Sequence, residues 1–483
     1  MSEATLYEKS VTGRSGVDLP RLDVPQAKLP EELVRTDNGL PELSQLDVTR
    51  HYLHLSQRNY GVDSGFYPLG SCTMKYNPKL NEAVARLPGF AQLHPLLPAS
   101  AVQGSLAVIF ALQECLKEIG GFAAVSLQPS AGAHGELTGL LMMRAYHADR
   151  NDDARTQVLI PDSAHGTNPA STTMAGMSVI EIPTDHRGNI DLGALKAACG
   201  PNVAGLMLTN PNTLGLFEEQ IEQAIQLVHE CGGLVYGDGA NMNALTGIAR
   251  PADFGIDIMH FNLHKTFATP HGGGGPGAGP VGASRDLAPY LPGPLVAQKE
   301  EPSTGTVAYD LHTPGKSIGR VGTYFGNFGM FVRAYAYILN HGVAGLRTNA
   351  EHAVLNANYL RVRLQDTYTV PFDRVCMHEF VCRGDIQGSS VRAIDISKRL
   401  MDYGFHPPTN YFPLIVPEAL MIEPTETESK QTLDGFIVAM QEIAKEAKED
   451  ADTVLSAPHT TSVKRLDEVK AARKPVFCEP SSR

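Results

Sequence analysis

Between positions 157 and 262, five short and mostly apolar runs recur, each closed by a small or polar residue. They are QVLIP (Gln157–Pro161), SVIEIP (178–183), VAGLMLT (Val203–Thr209), GLVYGD (233–238) and DIMHFN (257–262). Runs this short, bounded by turn residues, are buried strands of a core and not helices. Helical periodicity fills some of the gaps, at 191–199 and 218–231. Strands alternating with helices predict an α/β layer structure around a mostly parallel sheet. In such sheets ligands bind beyond the carboxyl ends of the strands. The residues that follow each run are therefore the first candidates for chemistry.

The flanks read differently. Residues 1–90 are rich in Pro and polar groups and predict an N-terminal arm with short helices. Residues 91–335 form the predicted large domain, which opens with a helix at 101–119. Helical patterns at 354–364 and 433–447 flank a shorter strand, EFVCR (379–383). They predict a smaller α+β domain over 336–483 that ends in an extended tail. With 483 residues and 42% hydrophobic content, the chain can bury large cores without disulfides or a structural metal. Its seven cysteines are Cys72, Cys115, Cys199, Cys231, Cys376, Cys382 and Cys478. An odd count without a CxxC pair predicts reduced thiols of a cytoplasmic protein. No zinc-ligand spacing occurs, so no metal site is predicted. A formal net charge of −12 argues against a nucleic-acid partner. The N-terminus lacks a signal-peptide pattern, and the run LAVIFAL (106–112) is too short to span a bilayer.

Lys265 follows the run DIMHFN and precedes HGGGGPGAGPVG. A lysine forms a Schiff base only through an unprotonated amine, and glycines beside it let backbone approach a planar ligand. Alone, Lys265 reads equally as a surface lysine beside a glycine loop. Gly272, Gly274 and Gly277 match GxGxxG, but Pro276 and Pro280 interrupt any following helix, so the match is not a dinucleotide fingerprint. Asp238 closes GLVYGD, 27 positions before Lys265. A buried carboxylate there suits the pyridine nitrogen of a pyridoxal cofactor, and equally suits a helix cap. Ala240 would pack on the ring face, and Asn241 would reach the ring hydroxyl. The small-residue turn 130–133 opens a helix near His134, a phosphate-binding arrangement or a plain capped helix. His165, after QVLIP, would stack on the ring; by itself it reads as a satisfied loop histidine.

Several blocks then act together: YPLGSCTMKYNP, PSAGAHGELTGLL, PDSAHGTNPAS, NPNTLGLFE, DGANMNA, NLHKTFATPHGGGGPG and TNYFPLIVPEALMIEPTETESK. Running from about 67 to 430, they resemble the glycine decarboxylase P-protein family of the glycine cleavage system. The length resembles the C-terminal-half, cofactor-bearing subunit 2 of its two-subunit form. The resemblance implies fold-type I of the pyridoxal-phosphate enzymes, with an aminotransferase-like large domain and a smaller α+β domain. It implies pyridoxal 5'-phosphate on Lys265, Asp238 at the pyridine nitrogen and His165 over the ring. It further implies Ala131, Gly132, Ala133 and His264 near the phosphate, and Asn210 and Asn241 near the ring hydroxyl. The implied reaction decarboxylates glycine and passes the aminomethyl group to the lipoyl group of the H carrier protein. Subunit 1 is the implied partner, in a heterotetramer, and the loop GRVGTYFGNFG (319–329) is a candidate lining. Two alternatives stay open: another pyridoxal-phosphate reaction, such as a cysteine desulfurase using Cys72, and a non-catalytic supporting subunit.

Overall fold

The computed structural model describes residues 3–35, 39–272, 277–300 and 307–477. The centre of the glycine run, 273–276, and Cys478 lie outside the described residues. One compact unit comprises Met1–Gly65 with Thr460–Arg483, and the other Phe66–His459. These limits differ from the expected boundaries at 90 and 335.

In the first unit, helix α1 (Gln45–Ser56) starts at a capping box. The Asp47 amide donates to Ser44 Oγ at 3.1 Å, and the Ser44 amide donates back to Asp47 Oδ2 at 3.1 Å. Two of the amides left open at the helix start are thereby satisfied.

The second unit runs through α2 (Lys79–Ala85), α3 (Pro88–Ala91), α4 (Gln103–Gly120), β1 (Ala124–Ser126) and α5 (Gly132–Ala148). There follow β2 (Gln157–Pro161), α6 (Thr167–Met174), β3 (Ser178–Ile182), α7 (Leu192–Ala198), β4 (Val203–Thr209), α8 (Ile221–Glu230), β5 (Leu234–Gly239) and β6 (Ile258–Phe261). The five apolar runs are thus the five strands β2 to β6, with ends displaced by a residue or two. After them come β7 (Val281–Ala283), the hairpin β8 (Leu295–Glu300) and β9 (Val307–His312), and the long helix α9 (Phe328–Leu364). The unit closes with β10 (Phe380–Arg383), α10 (Ala393–Asp402), β11 (Thr409–Asn410), β12 (Ala419–Ile422), α11 (Lys430–Glu449) and α12 (Ala451–Leu455).

The main sheet has seven strands in the order β1-β7-β6-β5-β4-β2-β3. The pairs from β3 to β6 are parallel, and β7 is antiparallel to both of its neighbours. Side chains alternate between two cores, as the period of a strand requires. On β5, Val235 joins the core shared with α4, α8 and α9, while Tyr236 joins the core shared with α5. On β2, Leu159 takes the first side and Val158 and Ile160 the second. Helices on both faces explain why these strands read as continuous apolar runs.

Register positions the chemistry. Thr209 pairs with Asp238, and Asp238 with His260. Registered neighbours share a face, so the three side chains form a row where the parallel strands end.

The second sheet, β10-β12-β11, is antiparallel and carries its own core with α10 and α11. Phe436 of α11 is fully buried, with ring centroids 5.1 Å from Phe66 and 5.5 Å from Phe405. Phe436→Ala should cost about 3–5 kcal/mol, the usual range for emptying an aromatic site. A lowered urea midpoint at unchanged slope is the expected observation; an unshifted midpoint would contradict the packing described.

Helix α9 is longer than the expected 354–364, which is its last part. Gly342 breaks its regular geometry at φ 59°, a conformation glycine adopts without strain. At Gly215 (φ 77°) a Cβ would lie 1.9 Å from the Glu379 carbonyl oxygen. Glycine therefore lets the loop after β4 press against the backbone before β10, where the Met377 amide donates to Gly215 O at 2.7 Å.

Candidate active site

A cavity of about 180 Å³ opens at the carboxyl ends of the parallel strands. Strand ends supply Thr209, Asp238 and His260, and the segments after them supply Thr213, Ala240, Asn241, Asn262, His264 and Lys265. The start of α5 supplies Gly132, Ala133 and Glu136, and the approach to α6 supplies His165 and Thr167. Ser71 enters from the chain ahead of α2.

Lys265 lies in a tight turn directly after β6. Its amide donates to Asn262 O at 3.1 Å, and its carbonyl accepts from the Ala268 amide at 3.2 Å. Among the described residues lining the cavity, it is the only Lys or Arg. Asp238 is almost fully buried. Its Oδ1 accepts from the Ala240 amide at 2.9 Å and stands 3.5 Å from His260 Nε2. With the Asn168 amide turned so that its nitrogen faces the acids, it donates to Asp238 Oδ2 at 3.3 Å and Glu136 Oε2 at 3.0 Å. His260 is held from its other side by Tyr236, 2.5 Å from Nδ1.

Burial sets the electrostatics. It pushes His260 down to about 4, His264 to about 3 and His271 to about 4, so these imidazoles are neutral at pH 7. Burial, reinforced by the charge of Asp238, raises Glu136 to about 7. Burial also pushes the Cys72 thiol up to about 11. Such a thiol is no thiolate at neutral pH and makes a poor nucleophile, which weighs against the desulfurase alternative.

Helix α5 begins at Gly132 with no side-chain cap on its first turn, which leaves its amides available to an anion. A Cβ at Gly132 would lie 2.5 Å from Asn262 Oδ1, so the helix start can come this close only as glycine.

The cavity therefore brings together Gly132, Ala133, His165, Asp238, Ala240, Asn241, His264 and Lys265 from the sequence reading. Ala131 lies just outside, as the residue preceding α5, and its carbonyl accepts from the Gly135 amide at 2.9 Å. Asn210 also lies outside the lining, with its Oδ1 bonded to the Glu218 amide at 2.9 Å. The loop 319–329 reaches the turn before α5, where Asn327 donates to Ser130 O at 3.2 Å.

Sequence reasoning missed Glu136, Thr167, Ser71, Thr209, Thr213, His260 and Asn262. Strand alternation gives the signal for His260, which sits two residues before Asn262 on the run that leads to Lys265. Glu136 gives none, because a glutamate one turn into a helix reads as solvent-facing.

Behind Ser71 and Asn241 lies a fully buried group of His378, Glu379 and Glu423, whose nearest ligand-type atoms lie within 4.8 Å of one another. Glu379 accepts from the Ser71 amide at 2.7 Å and from Asn241 Nδ2 at 3.2 Å. Glu423 accepts from the Thr73 amide at 2.9 Å and its hydroxyl at 2.5 Å. Burial raises Glu423 to about 7, and burial together with the charge of Glu423 raises Glu379 well above the carboxylate range. Two anions this close and this dry are costly, and taking up protons relieves the repulsion.

Comparison with known proteins decides the family. Residues 349–464 match the model of the glycine dehydrogenase C-terminal domain, and 141–275 that of class-V aminotransferases. The probable glycine dehydrogenase (decarboxylating) subunit 2 of Listeria monocytogenes is 56% identical over 98% of this chain and 97% of its own length. The chain belongs to the glycine dehydrogenase (decarboxylating) subunit 2 family. A member from Caldanaerobacter subterraneus is 57% identical over 98% of both chains. A crystal structure of glycine decarboxylase (P-protein) of the glycine cleavage system shares the fold at a TM-score of 0.73. It is 21% identical and covers 86% of this chain and 93% of its own. A cysteine desulfurase from Escherichia coli shares the fold less closely, at 0.60 and 16% identity over 82% of this chain and 98% of its own.

Glycine dehydrogenase subunit 2, with its class-V aminotransferase region and fold-type I architecture, is a pyridoxal-phosphate enzyme. The residues present fit that cofactor. A lysine stands at a strand end, a carboxylate one strand away, and uncapped amides start α5. Thr209 Oγ1 and Asn241 Oδ1, both in the cavity lining, are buried without a protein partner, the condition of polar atoms that await a ligand. No helix among the described residues is long and apolar enough to cross a membrane.

Proposed function

We propose that this chain carries the cofactor of a two-subunit glycine decarboxylase and releases carbon dioxide from glycine. The observation that carries the reading is near-full-length identity to subunit 2 relatives, joined to a cavity holding Lys265 and Asp238. When bound, pyridoxal phosphate supplies an electron sink for the pair left behind by the departing carboxylate. Lys265 is the amine that anchors it covalently. Asp238 would hold a proton at the ring nitrogen, Ala240 would pack on the ring face, and Asn241 would reach the ring hydroxyl. The first-turn amides of α5, at Gly132 and Ala133, would receive the phosphate, with Ala131 and His264 near it. His165 would stack on the ring, and Asn210 would lie near the hydroxyl side. The low-dielectric walls exclude water and strengthen each of these contacts.

The aminomethyl group would then pass to one sulfur of the oxidised, disulfide form of the lipoyl group carried by the H protein, the disulfide opening to leave the other sulfur as a thiol, in an assembly completed by subunit 1 in the cytoplasm. The test is exchange of labelled bicarbonate into glycine, measured for the chain alone, with subunit 1, and with subunit 1 plus lipoylated carrier. Exchange that requires the partner and rises with the carrier supports the reading. Release of sulfide from cysteine without any glycine exchange would replace it with the desulfurase alternative.

A further inference from the structure

His378 is fully buried, and neither of its ring nitrogens has a protein partner. Buried polar atoms are almost always bonded, so an imidazole idle at both nitrogens marks a missing neighbour. It faces two acids. Its Nε2 stands 3.8 Å from Glu423 Oε1. One atom each of His378, Glu379 and Glu423 lie within 4.8 Å of one another. Some point then lies within about 2.8 Å of all three, and movements of less than about 1 Å bring it to the ~2.0–2.2 Å of a nitrogen or carboxylate ligand.

We propose that His378, Glu379 and Glu423 form a binding site for one divalent transition-metal ion, of the zinc or manganese kind. The site is separate from the cofactor cavity and does not depend on the reaction assigned above.

Charge supports it. Two carboxylates bring up to two negative charges into an interior that excludes water. Among the described residues, no lysine or arginine forms an ion pair with either. Lys265 and Lys75 are the cations whose charge reaches His378, and both are engaged elsewhere. Lys75 pairs with Glu426 at 2.8 Å and donates to Asn243 Oδ1 at 2.8 Å, while Lys265 lines the cavity. A divalent ion supplies the matching charge, displacing whatever protons the pair holds without it.

The donor set selects the ion. His378 stays neutral at pH 7, because burial and then the charges of Lys265 and Lys75 disfavour its protonation, so a lone pair is free. Imidazole beside carboxylates suits zinc or manganese, whereas magnesium and calcium take oxygen ligands.

The carboxylates are also oriented from outside. Glu379 is held by the Ser71 amide and Asn241 Nδ2, and Glu423 by the Thr73 amide and hydroxyl. A carboxylate oxygen that accepts one such bond keeps a further lone pair for an ion. Outer donors of this kind fix the ligands of metal sites. Ser71 and Asn241 line the cavity, so an ion on Glu379 would stiffen that wall without touching the substrate.

The test uses the full cofactor-loaded chain, produced with Zn²⁺ or Mn²⁺ in the medium and dialysed against a chelator. Elemental mass spectrometry should count close to one ion per chain. Anomalous diffraction at the metal's absorption edge should place it on a His378 nitrogen and one oxygen of each glutamate. Protein produced with Mg²⁺ alone should show no ion there. Glu423→Gln and His378→Gln should each retain at least about tenfold less metal, the smaller loss typical of removing an outer partner alone. Cofactor loading reports that the variants fold, and the wild-type anomalous map decides the matter if they do not. Wild-type protein without stoichiometric metal, an anomalous peak confined to other residues, or full retention in both variants overturns the site.

Discussion

Lys265→Ala should yield a folded chain without borohydride-fixable cofactor and with glycine decarboxylation reduced by roughly 10³-fold or more, as for removing a covalent catalyst. The geometry makes this specific. Among the described lining residues Lys265 is the one with an amine, and its turn is pinned at Asn262 and Ala268. No second lysine among the described lining residues can replace it. The measurement is the visible band of the bound cofactor, followed by borohydride reduction and mass analysis. A band that survives and reduces onto the protein would assign the anchor elsewhere. The turn's backbone bonds do not involve the side chain, so the far-UV spectrum should be unchanged.

Asp238→Ala should separate binding from chemistry. The amides of α5 and the Lys265 amine remain, so cofactor should still load. The carboxylate that holds the proton on the ring nitrogen is gone, and with it the main electrostatic support for the developing negative charge. Losing one preorganised electrostatic contact of this kind costs about 10²–10³ in kcat. Asp238→Asn, which keeps the shape and the contact with the Ala240 amide's neighbourhood but not the charge, should fall equally far. Near-normal turnover in either variant would show that the electron sink does not depend on this residue.

What the sequence disclosed follows from what is local. The strands β2 to β6 were legible because helices cover both faces and leave apolar runs. Pattern alone brings Lys265 and His165 to the cavity because each follows such a run, and Asp238 because it closes one. Glu136 was not, since only the packing of α6 on α5 turns it from a helix surface to the Thr167 hydroxyl. Ser71 and Thr73 were hidden for another reason: their acceptors, Glu379 and Glu423, lie 308 and 350 positions away. The first part of α9 escaped notice because its periodic pattern is interrupted at Gly342. Pattern reading finds what one element states by itself, and these features are stated jointly by two.

The contact at Gly215 has a mechanical meaning. Loop and strand touch there backbone to backbone, with no side chain to act as a cushion, and Asn241 ties the same strand to the cavity wall through Glu379. Swinging the small sheet away from the large one, the familiar way of opening a cleft between two layers, would have to break these ties first. Those ties resist motion along that axis. The spacing of the two sheets should therefore hardly change between empty and glycine-loaded states.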